Sequence, residues 1–513
     1  MPKIDSPKLF NLIKSLTPTE RRYFKMWVDP NNEKNSKYIL LFDAIEAQTD
    51  FDDAALKKLI YPEKTPESRK YSELKNYLYN EILKALQHFD EKTSVEFRIK
   101  NMLLNVKVLF KRSLFHECKE QLQKIKKLAL EYEDYLALLE VLRWEKELAY
   151  TMTDIALLNR QLESFRKNEL EYLGEQTTIT ELRNLFFKLL VELRKDVTRS
   201  KEHLVQLKKI ADNNLINHPA NTVSTTAHLF RLRFLSAYYF SISDFEKFYE
   251  TSKTLLKEVA AHPHFLKESV SEYISVLNNH IVSCGQLEKY AEVRTYLQKL
   301  KSVQPITKDD ALKIHRQYYL AKFRLCISSG EFEEGIEALK SHESESLHFE
   351  KFYFEKNTFY FHYFLIYFGV NDYEKALHYL NEWLNMPRNI ERQDLQSLAR
   401  VLNLIIHFEM KNDILLESLL RSTQRFLRKR SVYQFEKLMV QFIKDSRKMF
   451  LKDEIKKALQ NLQSELKRLL MLPEEAQLIK MFDFESWLES KLTGKPFKEI
   501  VREKFNRKST PPS

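Results

Sequence analysis

The stretch Tyr363-Phe364-Leu365-Ile366-Tyr367-Phe368-Gly369-Val370-Asn371-Asp372-Tyr373-Glu374-Lys375-Ala376-Leu377 decides the fold. Its first seven residues close an aromatic helix, Val370-Asn371-Asp372 turn the chain, and Tyr373 opens a second helix. From Tyr373 the apolar residues Ala376, Leu377, Leu380, Trp383 and Leu384 fall at i+3, i+4, i+7, i+10 and i+11. That is one stripe on a helix of 3.6-residue period, and it has to be buried against neighbours. Pro387 stops the helix.

The same pattern recurs at Ser328-Ser329-Gly330-Glu331-Phe332, Cys284-Gly285-Gln286-Leu287 and Ser243-Asp244-Phe245, and in weaker form at Phe115, Ile155 and Val197. In the weaker copies Leu122 and Ile125, Leu162 and Phe165, and Leu204 and Leu207 fill the i+7 and i+10 places. Taking Phe115, Ile155, Val197, Phe245, Leu287, Phe332 and Tyr373 as markers gives spacings of 40, 42, 48, 42, 45 and 41 residues. An eighth marker near Ile414 puts Arg421 and Gln424 where apolar residues belong. Such a period accommodates two helices of about 15–20 residues with short connections, the unit of an α-solenoid. One hairpin cannot cover its own stripe, but a stack of them can. Gly285, Gly330 and Gly369 stand where helix C-caps call for left-handed backbone.

Asn371-Asp372-Tyr373-Glu374-Lys375-Ala376-Leu377-His378-Tyr379-Leu380 resembles the turn and second helix of a tetratricopeptide repeat, and Gly330-Glu331-Phe332-Glu333-Glu334-Gly335-Ile336 is similar to it. The resemblance spans residues 100 to 430 in period and describes a divergent, longer-period relative. It implies a partner-binding groove lined by first helices. Asn184, Arg231, Asn278, Arg316, Tyr360, Arg400 and Asn403 are the polar candidates there, because Arg or Asn on an apolar helix can hold a peptide backbone or carboxylate.

The composition agrees with an all-α chain. Six glycines and 14 prolines among 513 residues leave few sharp turns, while 43% hydrophobic and 12% aromatic content supplies many helix contacts. The formal net charge of +11 arises from 83 basic and 72 acidic residues that are interspersed, which reads first as a solvated surface. No signal-like leader and no run of about 18 uncharged apolar residues is present, so no membrane association is expected. Three well-separated cysteines fit a reducing, cytoplasmic setting without disulfides. Phe352-Tyr353-Phe354 and Phe359 to Phe364 read as core packing.

Residues 1–95 fall outside the repeat. Thr17-Pro18-Thr19-Glu20 forms a capping box, and helices are expected from Lys37 to Ala47, Asp52 to Ile60 and Ser68 to Phe89. With Lys57-Lys58 and Arg69-Lys70 nearby, this N-terminal bundle has a helix-turn-helix-like alternative in which it binds nucleic acid. Residues 96–445 make the solenoid. Residues 446–513 make a helical cap with a basic final helix, and Arg507 to Ser513 reads as a loose tail.

Chemistry-bearing motifs are missing. No glycine-rich phosphate loop, His-Glu-x-x-His, Cys-x-x-Cys or Gly-x-Ser-x-Gly occurs, and the His262-Pro263-His264 pair reads as a surface loop. No cofactor, metal or catalytic residue is therefore expected. Arg421, Arg425, Arg428, Lys429 and Arg430 form the densest basic patch. The expectation is a non-enzymatic scaffold that holds a protein or peptide segment. The alternative is a regulator whose N-terminal domain reads nucleic acid while the solenoid senses or assembles.

Overall fold

The computed structural model describes residues 6–28, 37–61, 68–195, 201–217, 224–264, 270–347, 349, 359–385, 393–428, 433–447, 449 and 451–509. Among these residues the regular structure is entirely α-helical. The chain is an α-solenoid in which each helix packs mainly against its neighbours in sequence. Val95–Phe110 meets Phe115–Glu131, which meets Tyr135–Thr151, and the succession continues through Thr225–Ser241, Phe245–Ala261 and Val270–Gln286 toward the C-terminus. Apolar burial is divided accordingly into successive cores, one around Val106 and Leu138, another around Leu182 and Phe234, a third around Leu277 and Leu297, and a large one around Phe364 and Leu402.

The turns share one geometry. Ser113, Glu133, Thr153, Ser243, Glu288, Gly330, Asn371 and Lys411 adopt left-handed backbone with φ between 52° and 74°. Each stands two positions ahead of a helix, at Phe115, Tyr135, Ile155, Phe245, Tyr290, Phe332, Tyr373 and Asp413. The residue in between returns its N–H to a carbonyl five positions back, as in Asp372 N to Tyr367 O at 3.0 Å and Glu331 N to Cys326 O at 2.9 Å. This closes the preceding helix in a Schellman-type cap. The glycine expectation holds at Gly330 alone. Gly285 and Gly369 are helical, and Glu288 and Asn371 supply the left-handed step instead. Gly369 answers a different need, since a Cβ there would lie 2.2 Å from the Phe332 ring.

Counting from the first helical residue, positions +3, +7 and +10 are buried in unit after unit. They are Cys118, Leu122 and Ile125, then Val293, Leu297 and Leu300, then Ala376, Leu380 and Trp383. This register corrects two markers. The fifth belongs at Tyr290 rather than Leu287, and the eighth at Asp413, because Ile414 is 89% exposed. With Asp413 as origin the buried places fall on Leu416, Leu420 and Thr423, so Arg421 is exposed and Gln424 half-buried rather than part of the buried stripe. Helix starts from Phe245 to Asp413 are then spaced 45, 42, 41 and 40 residues apart.

One repeat departs from the hairpin plan. Ile155–Lys195 is a single 41-residue helix where two helices were expected, and Leu162 on it is 56% exposed. The segment around Gly174 lacks proline, and one glycine in a helix costs only about 1 kcal/mol relative to alanine, too little to break it. Val197 lies outside the described residues, as do Pro387 and Phe352 to Phe354. Phe359 to Phe364, by contrast, line the core as expected, with Tyr360 half-buried.

At the N-terminus the capping box forms, with Thr17 N donating to Glu20 Oε2 at 2.6 Å and Glu20 N to Thr17 Oγ1 at 3.3 Å. Helices Lys37–Ala47, Asp53–Ile60 and Ser68–Thr93 enclose a core of Phe42, Ile45, Leu78 and Ile82, joined by an unanticipated first helix, Ser6–Ser15. At the other end of the described residues lies the helix Phe497–Ser509. It folds back onto the turn before Phe332, where Lys498 pairs with Glu333 at 2.5 Å and Phe505 packs on Tyr290. Arg507 is therefore helical and 3.5 Å from Glu503, not part of a loose tail.

Candidate partner-binding groove

The first helices of the first two units, Val95–Phe110 and Tyr135–Thr151, face each other across a groove of ≈ 590 Å³. Phe110 and Trp144 form part of its apolar wall, their rings 5.3 Å apart, and Leu103 and Leu104 contribute to the rest. Leu104 is 61% exposed on a helix that buries Ile99 and Val106. Charged residues of both signs complete the lining. Lys100, Lys107 and Arg143 alternate with Glu140 and Glu147. Arg143 donates to Glu140 at 3.0 Å and lies 5.4 Å from the Trp144 ring centre, so the guanidinium is held over the indole. Trp144 Nε1 is buried, and among the described residues nothing accepts its hydrogen bond. A buried donor left without an acceptor costs about 1–3 kcal/mol.

The helix turn opposite is built to stay put. Asp134 caps Tyr135–Thr151 through its carboxylate, which accepts from Ala137 N at 3.0 Å. Next to it Glu133 reaches across to the start of Thr225–Ser241, accepting from Thr225 N at 2.8 Å, Thr226 N at 2.7 Å and Ser224 Oγ at 2.8 Å. Burial alone would raise the Glu133 pKa, but these donors hold the carboxyl below its ordinary value.

The polar residues singled out on first helices are distributed among separate contacts. Asn184 is exposed on the long helix, and Asn278 and Arg316 are half-buried. Arg231 Nε donates to Ile216 O at 2.7 Å, Tyr360 stacks on Tyr379 at 6.1 Å, the Arg400 guanidinium sits 4.3 Å from the Phe426 ring centre, and Asn403 Nδ2 donates to Asn381 Oδ1 at 3.2 Å. These four bind neighbouring helices. In the basic patch Arg421 is paired with Glu417, and Arg425 and Arg428 are exposed; Lys429 and Arg430 lie outside the described residues. The N-terminal cations are engaged as well, Arg69 with Glu73 at 2.9 Å and Lys75 with Asp53 at 3.1 Å, while Lys58 and Lys70 are exposed.

Leu104, Arg143 and Trp144 were not anticipated from the sequence. The available signal was Arg143-Trp144 flanked by Glu140 and Glu147 on an apolar helix, a charged belt around an amphipathic aromatic. Among the described residues no helix is long and apolar enough to cross a membrane.

No family model matches the chain, and no curated protein matches it. Among solved structures it is similar to the crystal structure of the apo form of RapI, at 13% identity over 80% of this chain and 98% of that one, with a TM-score of 0.41.

Proposed function

We propose that this chain is a non-enzymatic helical-repeat scaffold that binds a protein segment, and that the segment docks first in the groove between Val95–Phe110 and Tyr135–Thr151. The observation that carries this reading is the exposed Leu104 set beside the Phe110–Trp144 aromatic wall and a belt of mixed charge. An extended or helical peptide supplies the complement, namely apolar side chains for Leu104 and the aromatic wall and charges of either sign for the rim. On this reading the chain is a divergent, long-period relative of tetratricopeptide proteins, with residues 1–95 a separate helical domain, 96–445 the binding array and 446–513 its cap. Asn184, Asn278 and Arg316, on later first helices, are where a longer segment would extend, whereas Arg231, Tyr360, Arg400 and Asn403 set helix spacing.

Selection of peptides from a displayed library against the full chain tests the reading. Ligands are expected whose binding quenches Trp fluorescence and drops at least tenfold in Leu104→Asp, a surface change that leaves the fold intact. Ligands indifferent to both Leu104→Asp and Trp144→Phe would remove the groove from consideration.

A further inference from the structure

Three helices of the array bring together a set of side chains that repeat packing alone does not require. His280 and Cys284 are four residues apart on Val270–Gln286 and so share a face. Both are completely buried. Glu292, from the first turn of Tyr290–Lys301, closes the group with a carboxylate that is 38% exposed. His280 Nε2 lies 3.7 Å from Cys284 Sγ and 4.0 Å from Glu292 Oε2, and Cys284 Sγ lies 3.8 Å from Glu292 Oε2.

The surrounding hydrogen bonds orient these groups. Ser252 Oγ, on Phe245–Ala261, sits 3.0 Å from His280 Nδ1, and its hydroxyl has the Tyr249 carbonyl as an acceptor at 2.9 Å. With that proton given to the carbonyl, Ser252 Oγ accepts from Nδ1–H, and the Nε2 lone pair is left facing the thiol and the carboxylate. Tyr249 Oη donates to Glu292, 2.9 Å from Oε2 and 3.0 Å from Oε1, and steadies it. Tyr296 packs edge-on against the imidazole at 4.5 Å. This is the arrangement of a ligand set with its outer partners in place, a histidine fixed through its far nitrogen and a carboxylate fixed by a donor.

We propose that His280 Nε2, Cys284 Sγ and Glu292 Oε2 form a three-ligand site for a zinc-class divalent cation between the second and third of these helices. Bond lengths of about 2.0–2.3 Å to nitrogen, oxygen and sulfur put neighbouring donors of a tetrahedral zinc ion roughly 3.4–3.6 Å apart. The two separations from Cys284 exceed that by roughly 0.1–0.4 Å and the His280–Glu292 separation by roughly 0.4–0.6 Å, within reach of side-chain rotation. One nitrogen, one sulfur and one oxygen suit zinc or cobalt rather than calcium or magnesium, which take oxygen donors. Binding converts the Cys284 thiol to a metal-bound thiolate and releases one proton to solvent. The dication is then neutralised by the thiolate and the Glu292 carboxylate. Glu292, with a side chain 38% exposed, is the ligand through which the site reaches solvent.

The full chain, stripped with a chelator and titrated with Co²⁺ alone, tests the assignment. One equivalent is expected to give visible bands of tetrahedral cobalt together with a near-ultraviolet thiolate-to-cobalt transition. Cys284→Ser is expected to lose that transition while Cys118→Ser and Cys326→Ser keep it. Ser252→Ala should weaken binding by about 10–100-fold, as for an outer partner, and Glu292→Gln by at least as much. Absence of cobalt uptake by the wild type, or a thiolate transition that survives Cys284→Ser, overturns the site. Should Cys284→Ser fail to fold, as judged by circular dichroism, the half-exposed Glu292→Gln decides, and unchanged cobalt affinity there overturns it equally.

Discussion

Gly330 and Arg502 stand 172 positions apart and meet directly. Arg502 Nη2 donates to the Gly330 carbonyl at 3.1 Å, and a Cβ on Gly330 would lie 2.9 Å from the Arg502 backbone nitrogen. The final helix thus rests on a spot that only glycine leaves open. Through this contact the end of the chain is tied to the middle of the array, which a purely nearest-neighbour stack would not do.

Gly330→Ala is accordingly expected to be far more damaging than a surface glycine change. Left-handed backbone with a side chain costs about 1 kcal/mol, and crowding the Arg502 backbone adds about 1–3 kcal/mol. Denaturant unfolding should show a loss of roughly 2–4 kcal/mol, and limited proteolysis should release the Phe497–Ser509 helix first. Gly174→Ala, with nothing within 4 Å of the added Cβ, is the control and should be neutral or stabilising.

The uniform turn predicts a gain elsewhere. Thr153 is β-branched yet holds φ at 52°, a conformation such residues seldom adopt. Thr153→Gly should relieve that strain and stabilise the chain by about 0.5–1 kcal/mol, net of the added freedom of the unfolded state. Asn371→Gly should change stability less, because Asn tolerates this region. Thermal unfolding of the two variants side by side checks the ordering; equal or inverted shifts would mean that the turn is not under strain at Thr153.

What the sequence disclosed follows from the range of the interactions. The Thr17–Glu20 box closes over three residues and was readable. So was the stripe beginning at Tyr373, since helical periodicity is local. The left-handed residues were not, because Ser113, Thr153 and Lys411 carry no mark of the conformation that the stacked helices impose on them. The run from Ile155 was read as two helices because the period of the other units was extended to it, although no strong breaker interrupts its sequence. For the candidate sites, Trp144 needed a facing helix to become a groove wall. His280 and Cys284 had the right spacing in the sequence, but Glu292 joins them only after a turn whose position was misplaced by three residues.

The Glu133 contact with the start of Thr225–Ser241 carries a pH dependence whose sign is set by its lowered pKa. A carboxylate depressed in the folded state adds stability above its unfolded pKa, ordinarily near 4.5, and loses it as pH falls through the folded value. Glu133→Gln should therefore destabilise the chain at pH 7 by about 1.5–3 kcal/mol, the range for hydrogen bonds to a charged group. The gap between variant and wild type should narrow as pH drops below about 4.5. Unfolding curves at pH 7, 5 and 3.5 measure it, and a gap independent of pH would show that the charge on Glu133 plays no part.

Glu409 ties the helix Gln393–Glu409 to Phe484–Thr493. Its side chain is 7% exposed, accepts from Trp487 Nε1 at 2.7 Å, pairs with Lys491 and lies 3.4 Å from Tyr373 Oη. Removing the carboxylate leaves the indole N–H without that acceptor and the lysine without that partner at the junction between Gln393–Glu409 and Phe484–Thr493. Glu409→Ala is expected to destabilise by about 2–4 kcal/mol, since breaking a largely buried pair strands what remains. Glu409→Gln keeps an acceptor for Trp487 and should lose roughly half as much. Were these two helices held together only by apolar packing around Phe442 and Trp487, both variants would unfold like the wild type. Trp fluorescence during denaturation separates the outcomes, because in Glu409→Ala the emission should shift to the red before helical content falls.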